Sequence, residues 1–324
     1  MDYKDLDILY FSKKTMQDYM HDALFLGFKQ LGCNVVDIPD KATLHGHRIE
    51  EQKHCEQLFF NFERSHLRKS NPDLMIIAAQ LHPGDHAKHE QWKGFVRSQV
   101  KAYGPKQIAF IDGSDESEYS YPDLYGRDVH FFKREISKDH PDFFSPVNFA
   151  PIEEPLKFIP FSERIYDVSY IVTLSHPFRV RMRDIVRETA NKLGLTVYVY
   201  GDQALLPREE YMRVLSQSKC FVSVRGYGKD CYRYWEIPMR GSVLISENLD
   251  LDIPNDFGPS QCFKFDTTDL TKAAINFENV MKTVKEMDDS ALQEMAIRGM
   301  LHVNNYHTPK KRAEQILNKI FGRH

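Results

Sequence analysis

Short apolar runs alternate along this chain with amphipathic stretches, the pattern of strands and the helices that cover them. In the first half, residues 6–11 (LDILYF), 34–38 (NVVDI), 73–79 (DLMIIAA), 107–111 (QIAFI) and 129–136 (VHFFKREI) read as strands. Helical spacing runs over 19–31, stopped by Gly32, and over about 86–103. Residues 40–71 are polar and basic. Prolines then cluster: Pro146, Pro151, Pro155 and Pro160, with Pro141 just ahead, mark 146–163 as a linker. After it the same grammar restarts. Residues 166–173, 195–200, 221–224, 243–245 and 262–265 read as strands. Helices are expected at 178–193, 209–218, 269–287, 289–302 and 309–321. The last has Thr308 as cap, Pro309 at its first position, and a stripe of Ala313, Ile316, Leu317, Ile320 and Phe321.

This reads as an α/β chain with two Rossmann-like domains, 1–145 and 164–305, facing each other across a cleft. The helix in 306–324 either covers its own domain or packs back on the first one. Clefts between domains are where ligand sites concentrate.

Composition narrows the function classes. The 324 residues are 42% hydrophobic and 27% charged, values of a globular protein with room for two domains. A net charge of −3 argues against nucleic acid as partner. No apolar run approaches the roughly 20 residues of a membrane span. The amino terminus lacks a signal-peptide core. The five cysteines, Cys33, Cys55, Cys220, Cys231 and Cys262, form no C-x-x-C pair, which points to a reducing, cytoplasmic compartment and away from zinc.

The chemistry concentrates in residues 220–246, CFVSVRGYGKDCYRYWEIPMRGSVLIS. Strand, glycine loop, short helix and strand make a parallel βα unit whose loop, at the carboxyl end of the strand, meets ligand. Gly226 and Gly228 bring backbone close to that ligand, with Tyr227 between them. Asp230 is placed to cap the helix. Arg225 and Arg233 suit phosphate, and Glu236, on the same helix face as Arg233, suits sugar hydroxyls. A second cluster, Ser175, His176, Arg179 and Arg183, follows the strand at 166–173. Arginines in the first turns of a helix oppose its dipole, so either a bound pyrophosphate or partners such as Asp184 and Glu188 must compensate. Gly201-Asp202 closes a neighbouring strand as a turn or as part of the same site.

The glycine loop followed by R-x-W-E-I-P, a small residue and a strand resembles the nucleotide-sugar site of GT-B glycosyltransferases. It is similar in particular to the CgeB-like (spore-protein-type) and exostosin-like families. Asp18-Tyr19-Met20-His21-Asp22 and the F-K-R-E segment at 132–135 echo CgeB-like chains. Of two glutamates separated by seven residues in many GT-B enzymes, Glu236 matches the second and Gly228 stands at the first. The resemblance implies a nucleotide-sugar donor, a UDP- or GDP-sugar, held by Ser175, His176, Arg179, Arg183, Gly201, Arg225, Gly226, Tyr227, Gly228, Arg233 and Glu236. The acceptor would be a glycan or another hydroxyl compound, bound by the first domain, and no metal or other cofactor is required.

A base for the acceptor hydroxyl is sought among Asp112, Asp22 and His21, with Asp18 and Asp115 nearby. Helix capping and an Asx turn are the structural readings of the same carboxylates. Asp112-x-x-Asp115 lacks D-x-D metal spacing, and His82, Asp85, His86 and His89 read as surface residues. Tyr119, Tyr121 and Tyr125 either stack on acceptor sugars or pack under a loop. The expected function is transfer of a sugar from a nucleotide-activated donor to a hydroxyl. Three alternatives stand beside it: a catalytically inactive nucleotide-sugar-binding or structural protein, an NAD(P)-dependent oxidoreductase using Gly226-x-Gly228 and Glu247, and a DNA-base glycosyltransferase.

Overall fold

The computed structural model describes residues 3–11, 18–38, 43–44, 47–48, 71–79, 86–118, 129–152, 158–202 and 204–322. The chain divides into two compact units. The first takes Met1–Glu154, Leu251–Pro254 and Thr308–His324, and the second takes Pro155–Asp250 and Asn255–His307.

In the first unit, β1 (Asp7–Phe11), β2 (Asn34–Ile38), β5 (Leu74–Ala79), β6 (Gln107–Asp112), β7 (Val129–Lys133) and β8 (Phe144–Pro146) form one sheet. Its order is β2-β1-β5-β6-β7-β8, with every pair parallel. Two-residue strands β3 (Thr43–Leu44) and β4 (His47–Arg48) pair antiparallel apart from it. Strand side chains alternate between two buried faces, as a parallel sheet covered on both sides requires. Ile8, Tyr10, Leu74, Ile76 and Ala109 pack with α1 (Tyr19–Gln30) and α8 (Pro309–Phe321). Leu9, Phe11, Met75, Ile77 and Phe110 pack with Val96 of α2 (His86–Tyr103).

Helix α8 starts as its sequence dictates. Thr308 accepts a hydrogen bond from the Lys311 N–H, Pro309 takes the first position, and Gly322 ends it at φ 72°. Its apolar stripe completes the first unit's core. The crossing with α1 is close: a Cβ on Gly27 would lie 2.0 Å from the Pro309 carbonyl oxygen.

The second unit repeats the plan with β9 (Tyr166–Thr173), β10 (Val197–Asp202), β11 (Ser218–Ser223), β12 (Val243–Glu247) and β13 (Cys262–Phe265). The order is β10-β9-β11-β12-β13, again all parallel. Val168, Tyr170, Val172, Cys220, Val222, Val243 and Ile245 pack beneath α3 (Pro177–Leu193), α6 (Leu270–Glu286) and α7 (Asp289–Tyr306). Helices α4 (Arg208–Ser216) and α5 (Tyr232–Met239) complete the unit. The strand order reverses between β9 and β11, and in open α/β sheets ligands bind outside the carboxyl ends of strands at such a point.

Three local differences from the sequence reading have physical reasons. The strand expected over 129–136 stops at Lys133, because Glu135 adopts a left-handed φ of 59°. Part of the proline-rich stretch belongs to the first unit: β8 ends in it at Pro146, and Val147, Ala150 and Ile152 are buried. Pro146 is tolerated in β8 because that strand is a sheet edge and its missing N–H is not needed. Leu251–Pro254 also returns to the first unit, where the Asp252 N–H donates to the Ile136 carbonyl. Among the described residues no helix is long and apolar enough to cross a membrane.

Substituting Gly27 by Ala forces a methyl into a backbone carbonyl and should lower stability by roughly 2–3 kcal/mol. Gly94→Ala in α2, where an added Cβ meets nothing within 4 Å, should be neutral or stabilising by up to about 1 kcal/mol. Urea unfolding of the two variants checks the pair.

Candidate functional site

At the second unit's switch point the chain after β9 meets the chain after β11 through one side chain. His176 caps α3, its Nδ1 accepting from the Phe178 N–H at 3.1 Å, and Pro177 opens the helix. This fixes Arg179 in the first turn, 7% exposed. Its Nε donates to the Arg225 carbonyl at 3.0 Å. Nη1 donates to the Thr173 carbonyl and the Ser175 hydroxyl, and Nη2 reaches Cys231 Sγ at 3.5 Å. All these partners are neutral. A Cβ on Gly226 would stand 2.6 Å from Arg179 Nη2. Gly226 thus makes room for a guanidinium, a role the sequence reading had given to ligand. Gly201 does the same for Arg183, whose Cδ would lie 2.9 Å from an added Cβ.

Arg233, in the first turn of α5, adds a second cation. Its Nε is buried without a hydrogen-bond partner among the described residues. Burial and the Arg233 guanidinium both hold Arg179 below its ordinary pKa. Two guanidiniums therefore stand together, with no carboxylate partner among the described residues, beside the amino end of α5. That helix has no side-chain cap: Cys231 occupies the N-cap position and makes no cap bond. Asp230, expected there, instead accepts from Trp235 Nε1 at 2.6 Å.

Arg225 is placed differently. Its Nε lies 2.6 Å from Glu247 Oε2, its Nη2 pairs with the same carboxylate and with Thr267, and its guanidinium lies over the Phe178 ring. Glu247 is 1% exposed and also accepts the Arg225 backbone N–H. It is committed to Arg225, which leaves the ribose contact of the dinucleotide alternative without support. Glu236 is 2% exposed. Its Oε2 accepts from the Tyr211 hydroxyl at 2.8 Å, and Arg208 Nη2 stands 2.7 Å from Oε1, off the hydrogen-bonding line. Burial and this carboxylate push the Tyr211 hydroxyl well above its ordinary pKa, so it stays a donor. Tyr227 is 75% exposed at the tip of the loop, where the Gly226 N–H closes on the Gly228 carbonyl.

The first unit carries the acid–base candidates. Asp112 ends β6 fully buried, with Oδ2 3.1 Å from Lys133 Nζ and Oδ1 accepting the Ser114 N–H. Its charge is committed to that lysine, which stands opposite it in the β6–β7 register. Asp115 pairs with Arg134, so the Asp112-x-x-Asp115 carboxylates each meet a cation of the next strand end. Asp22, in the first turn of α1, is 1% exposed. Asp18 both caps α1, accepting from the Met20 and His21 N–H groups, and lies 2.8 Å from His21 Nδ1. Burial alone would raise its pKa. The His21 ring and N–H, with Arg134 beyond, outweigh burial and bring it down to about 2. His82, Asp85, Tyr119, Tyr121 and Tyr125 lie outside the described residues. Among the described residues no cluster of His, Cys, Asp or Glu is arranged to hold a metal ion.

Residues 179–318 match the family model described as glycosyl transferase-like. The matched segment spans less than half of the chain. It begins at Arg179, the side chain that joins the two loops at the switch point. Solved structures agree on the GT-B architecture. The catalytic domain of starch synthase IV from Arabidopsis thaliana, bound to ADP and acarbose, superposes with a TM-score of 0.57 at 12% identity, over 98% of this chain and 99% of that one. Sucrose-phosphate synthase from Thermosynechococcus elongatus gives 0.53 at 12%, over 98% and 100%. Anabaena HepE, in complex with UDP and glucose, gives 0.52 at 9%, over 98% and 100%. No curated protein sequence matches the chain.

Two of these pairings missed by sequence reasoning, Glu236 with Tyr211 and Asp112 with Lys133, join residues 25 and 21 positions apart. Spacing gives no sign of either.

Removing Arg225 strands the buried Glu247 carboxylate. Arg225→Ala should cost about 2–3 kcal/mol, less than a fully buried pair because Arg225 is partly exposed. Arg233→Ala, which relieves repulsion with Arg179, should leave stability unchanged or slightly raised. Denaturant titrations of both variants separate the structural cation from the unpaired one.

The lowered Asp18 pKa makes a pH prediction. The unfolded carboxyl binds its proton more tightly than the folded one, so stability rises with pH through the window between them. The contribution, about 2 kcal/mol, is complete above about pH 4 and fades as pH falls towards 2. Asp18→Asn keeps the cap and removes the charge. Its deficit against the unmodified protein should shrink over that window in urea unfolding.

Proposed function

We propose that this protein transfers a sugar from a nucleotide-activated donor to a hydroxyl acceptor, and that the donor's diphosphate binds at the second unit's switch point. The observation that carries the proposal is the Arg179–Arg233 pair. Arg179 donates only to neutral groups, and Arg233 has a buried N–H with no partner among the described residues. Like charges brought together in a partly buried place call for an anion. The uncapped amino end of α5 supplies backbone donors to the same anion. A nucleoside diphosphate has the charge, and on departure it is the group whose developing charge such donors stabilise.

Within this site the roles divide. Arg233 and the amino end of α5 take the phosphates. Arg179 shapes the loops and turns its remaining N–H to them, Ser175 and Gly226 hold that guanidinium, and Arg225 braces the loop through Glu247. Arg183, lying over Gly201 with its terminal nitrogens uncommitted, extends the positive edge. Tyr227 offers an exposed ring above the loop. Glu236 reaches a sugar hydroxyl only if Arg208 gives way, since Tyr211 and Arg208 now occupy it. A UDP- or ADP-linked donor fits the nucleotides seen in HepE and starch synthase IV. The finer kinship to CgeB-like and exostosin-like chains rests on the R-x-W-E-I-P segment. Among the described residues Cys33, Cys220, Cys231 and Cys262 form no disulfide, which fits action in the cytoplasm.

A thermal-shift panel of UDP, ADP, GDP, CMP and dTDP, their common sugars, and NAD(P) tests this. One nucleoside diphosphate should raise the melting temperature, and saturation at about 100 times Kd corresponds to ~2.7 kcal/mol. Arg233→Ala should abolish the response. A response to NAD(P) alone would overturn the transferase reading.

A further inference from the structure

A short segment of the first unit is fastened through a titratable side chain. Leu251–Pro254 lies between two stretches of the second unit in sequence, yet it belongs to the first unit as a strap. We propose that doubly protonated His140 latches this strap, and that the strap loosens when the ring gives up its second proton. The latch is independent of the transferase reading.

Among the described residues the strap is held by apolar burial, by a backbone hydrogen bond and by charge. Leu251 is 3% exposed and Ile253 8%. The Asp252 N–H donates to the Ile136 carbonyl at 2.8 Å, just after the left-handed turn at Glu135. The charged contact is His140 with Asp252, Nε2 lying 2.9 Å from Oδ2.

The other ring nitrogen decides the charge. His140 Nδ1 lies 3.0 Å from the Pro141 carbonyl oxygen. That oxygen is itself fixed, since it also accepts the Phe144 N–H in the turn that opens β8. A carbonyl only accepts, and so does an ionised carboxylate, so each ring nitrogen must donate. A neutral imidazole has one N–H and leaves one of the two contacts with lone pairs facing each other. The imidazolium satisfies both. The charged groups that face the ring, among the described residues, are Asp252 on the strap and Asp142 in the turn, and both are acids. Burial disfavours the cation, but the Pro141 carbonyl, Asp252 and Asp142 outweigh it and raise the His140 pKa above its ordinary value. The side chain is 14% exposed, so the ring can exchange protons with solvent.

The folded protein thus holds this proton more tightly than the unfolded chain. The contribution of the latch is complete below about pH 6.5 and is lost as pH rises through the higher folded pKa. Leu251 and Ile253 still bury their side chains above that point, so the strap loosens without the unit unfolding. The chain on either side continues into residues that hold the second unit's candidate site. Glu247, paired with Arg225, precedes the strap, and Asp256, which accepts from the Tyr234 hydroxyl of α5, follows it.

Hydrogen–deuterium exchange of the strap peptide, read by mass spectrometry on the full chain from about pH 6 to pH 9 and corrected for the intrinsic rate, tests the latch. Protection of the strap should fall by about three- to tenfold over that range. His140→Gln, which cannot take a charge, should show the lower protection at every pH. His140→Arg, which is always charged, should keep the higher protection throughout. A contact that mattered only for packing would not follow the charge in this way. In proton NMR of the ring, Asp252→Asn should lower the His140 pKa. Strap protection independent of pH in the unmodified protein, a transition that survives in His140→Gln or persists in His140→Arg, or a His140 ring that titrates at or below its ordinary value would overturn the latch.

Discussion

The second unit's candidate site depends on one guanidinium held between two strand ends. Arg179 ties the carbonyl that closes β9 to the carbonyl that follows β11, and the absent side chain of Gly226 is what allows it. The strand order reverses at this place, and in open α/β sheets the loops on either side of such a point diverge. The same group brings positive charge there, bonded only to neutral groups among the described residues. Structure and electrostatics are then one feature, and the rest of the loop, from the Arg225–Glu247 pair to the short helix α5, is arranged around it.

The two units apply one architecture to different ends. In the second, cations at the strand ends remain partly unpaired. In the first, the strand ends carry as many charges, yet Lys133 answers Asp112, and Arg134 answers Asp115 and Glu135. What is left without a hydrogen-bond partner there, among the described residues, is Nε2 of the buried His21. Parallel sheets of similar order thus leave different side chains uncommitted at their strand ends. The difference lies in which side chains meet across adjacent strand ends.

Much of the fold was legible because strands such as Leu74–Ala79 are continuous apolar runs and helices such as α8 carry both cap and stripe. The limits of legibility are equally specific. β8 is a short edge strand ending in proline, with no periodicity to betray it. The left-handed turn at Glu135 is invisible to apolar patterning. At the site, the residue types at 175–183 and 225–236 pointed to a phosphate. Nothing in the sequence told that Arg225 would be held by Glu247, or that Gly226 serves an arginine. Those facts arise from contacts between strands that are neighbours only after folding.

The position of α8 has a consequence for how the molecule comes into being. Ala313, Ile316, Leu317 and Ile320 belong to the same core as β1, β5 and β6, although they are the last part of that core to leave the ribosome. The strands made first must wait, one face incompletely covered, until some two hundred further residues have been synthesised. The second unit waits for far less, since its strands are complete at Phe265 and its helices at Tyr306. The order of synthesis and the order in which the cores close are therefore reversed, and the half-covered first sheet is the stretch of nascent chain most in need of protection from its neighbours.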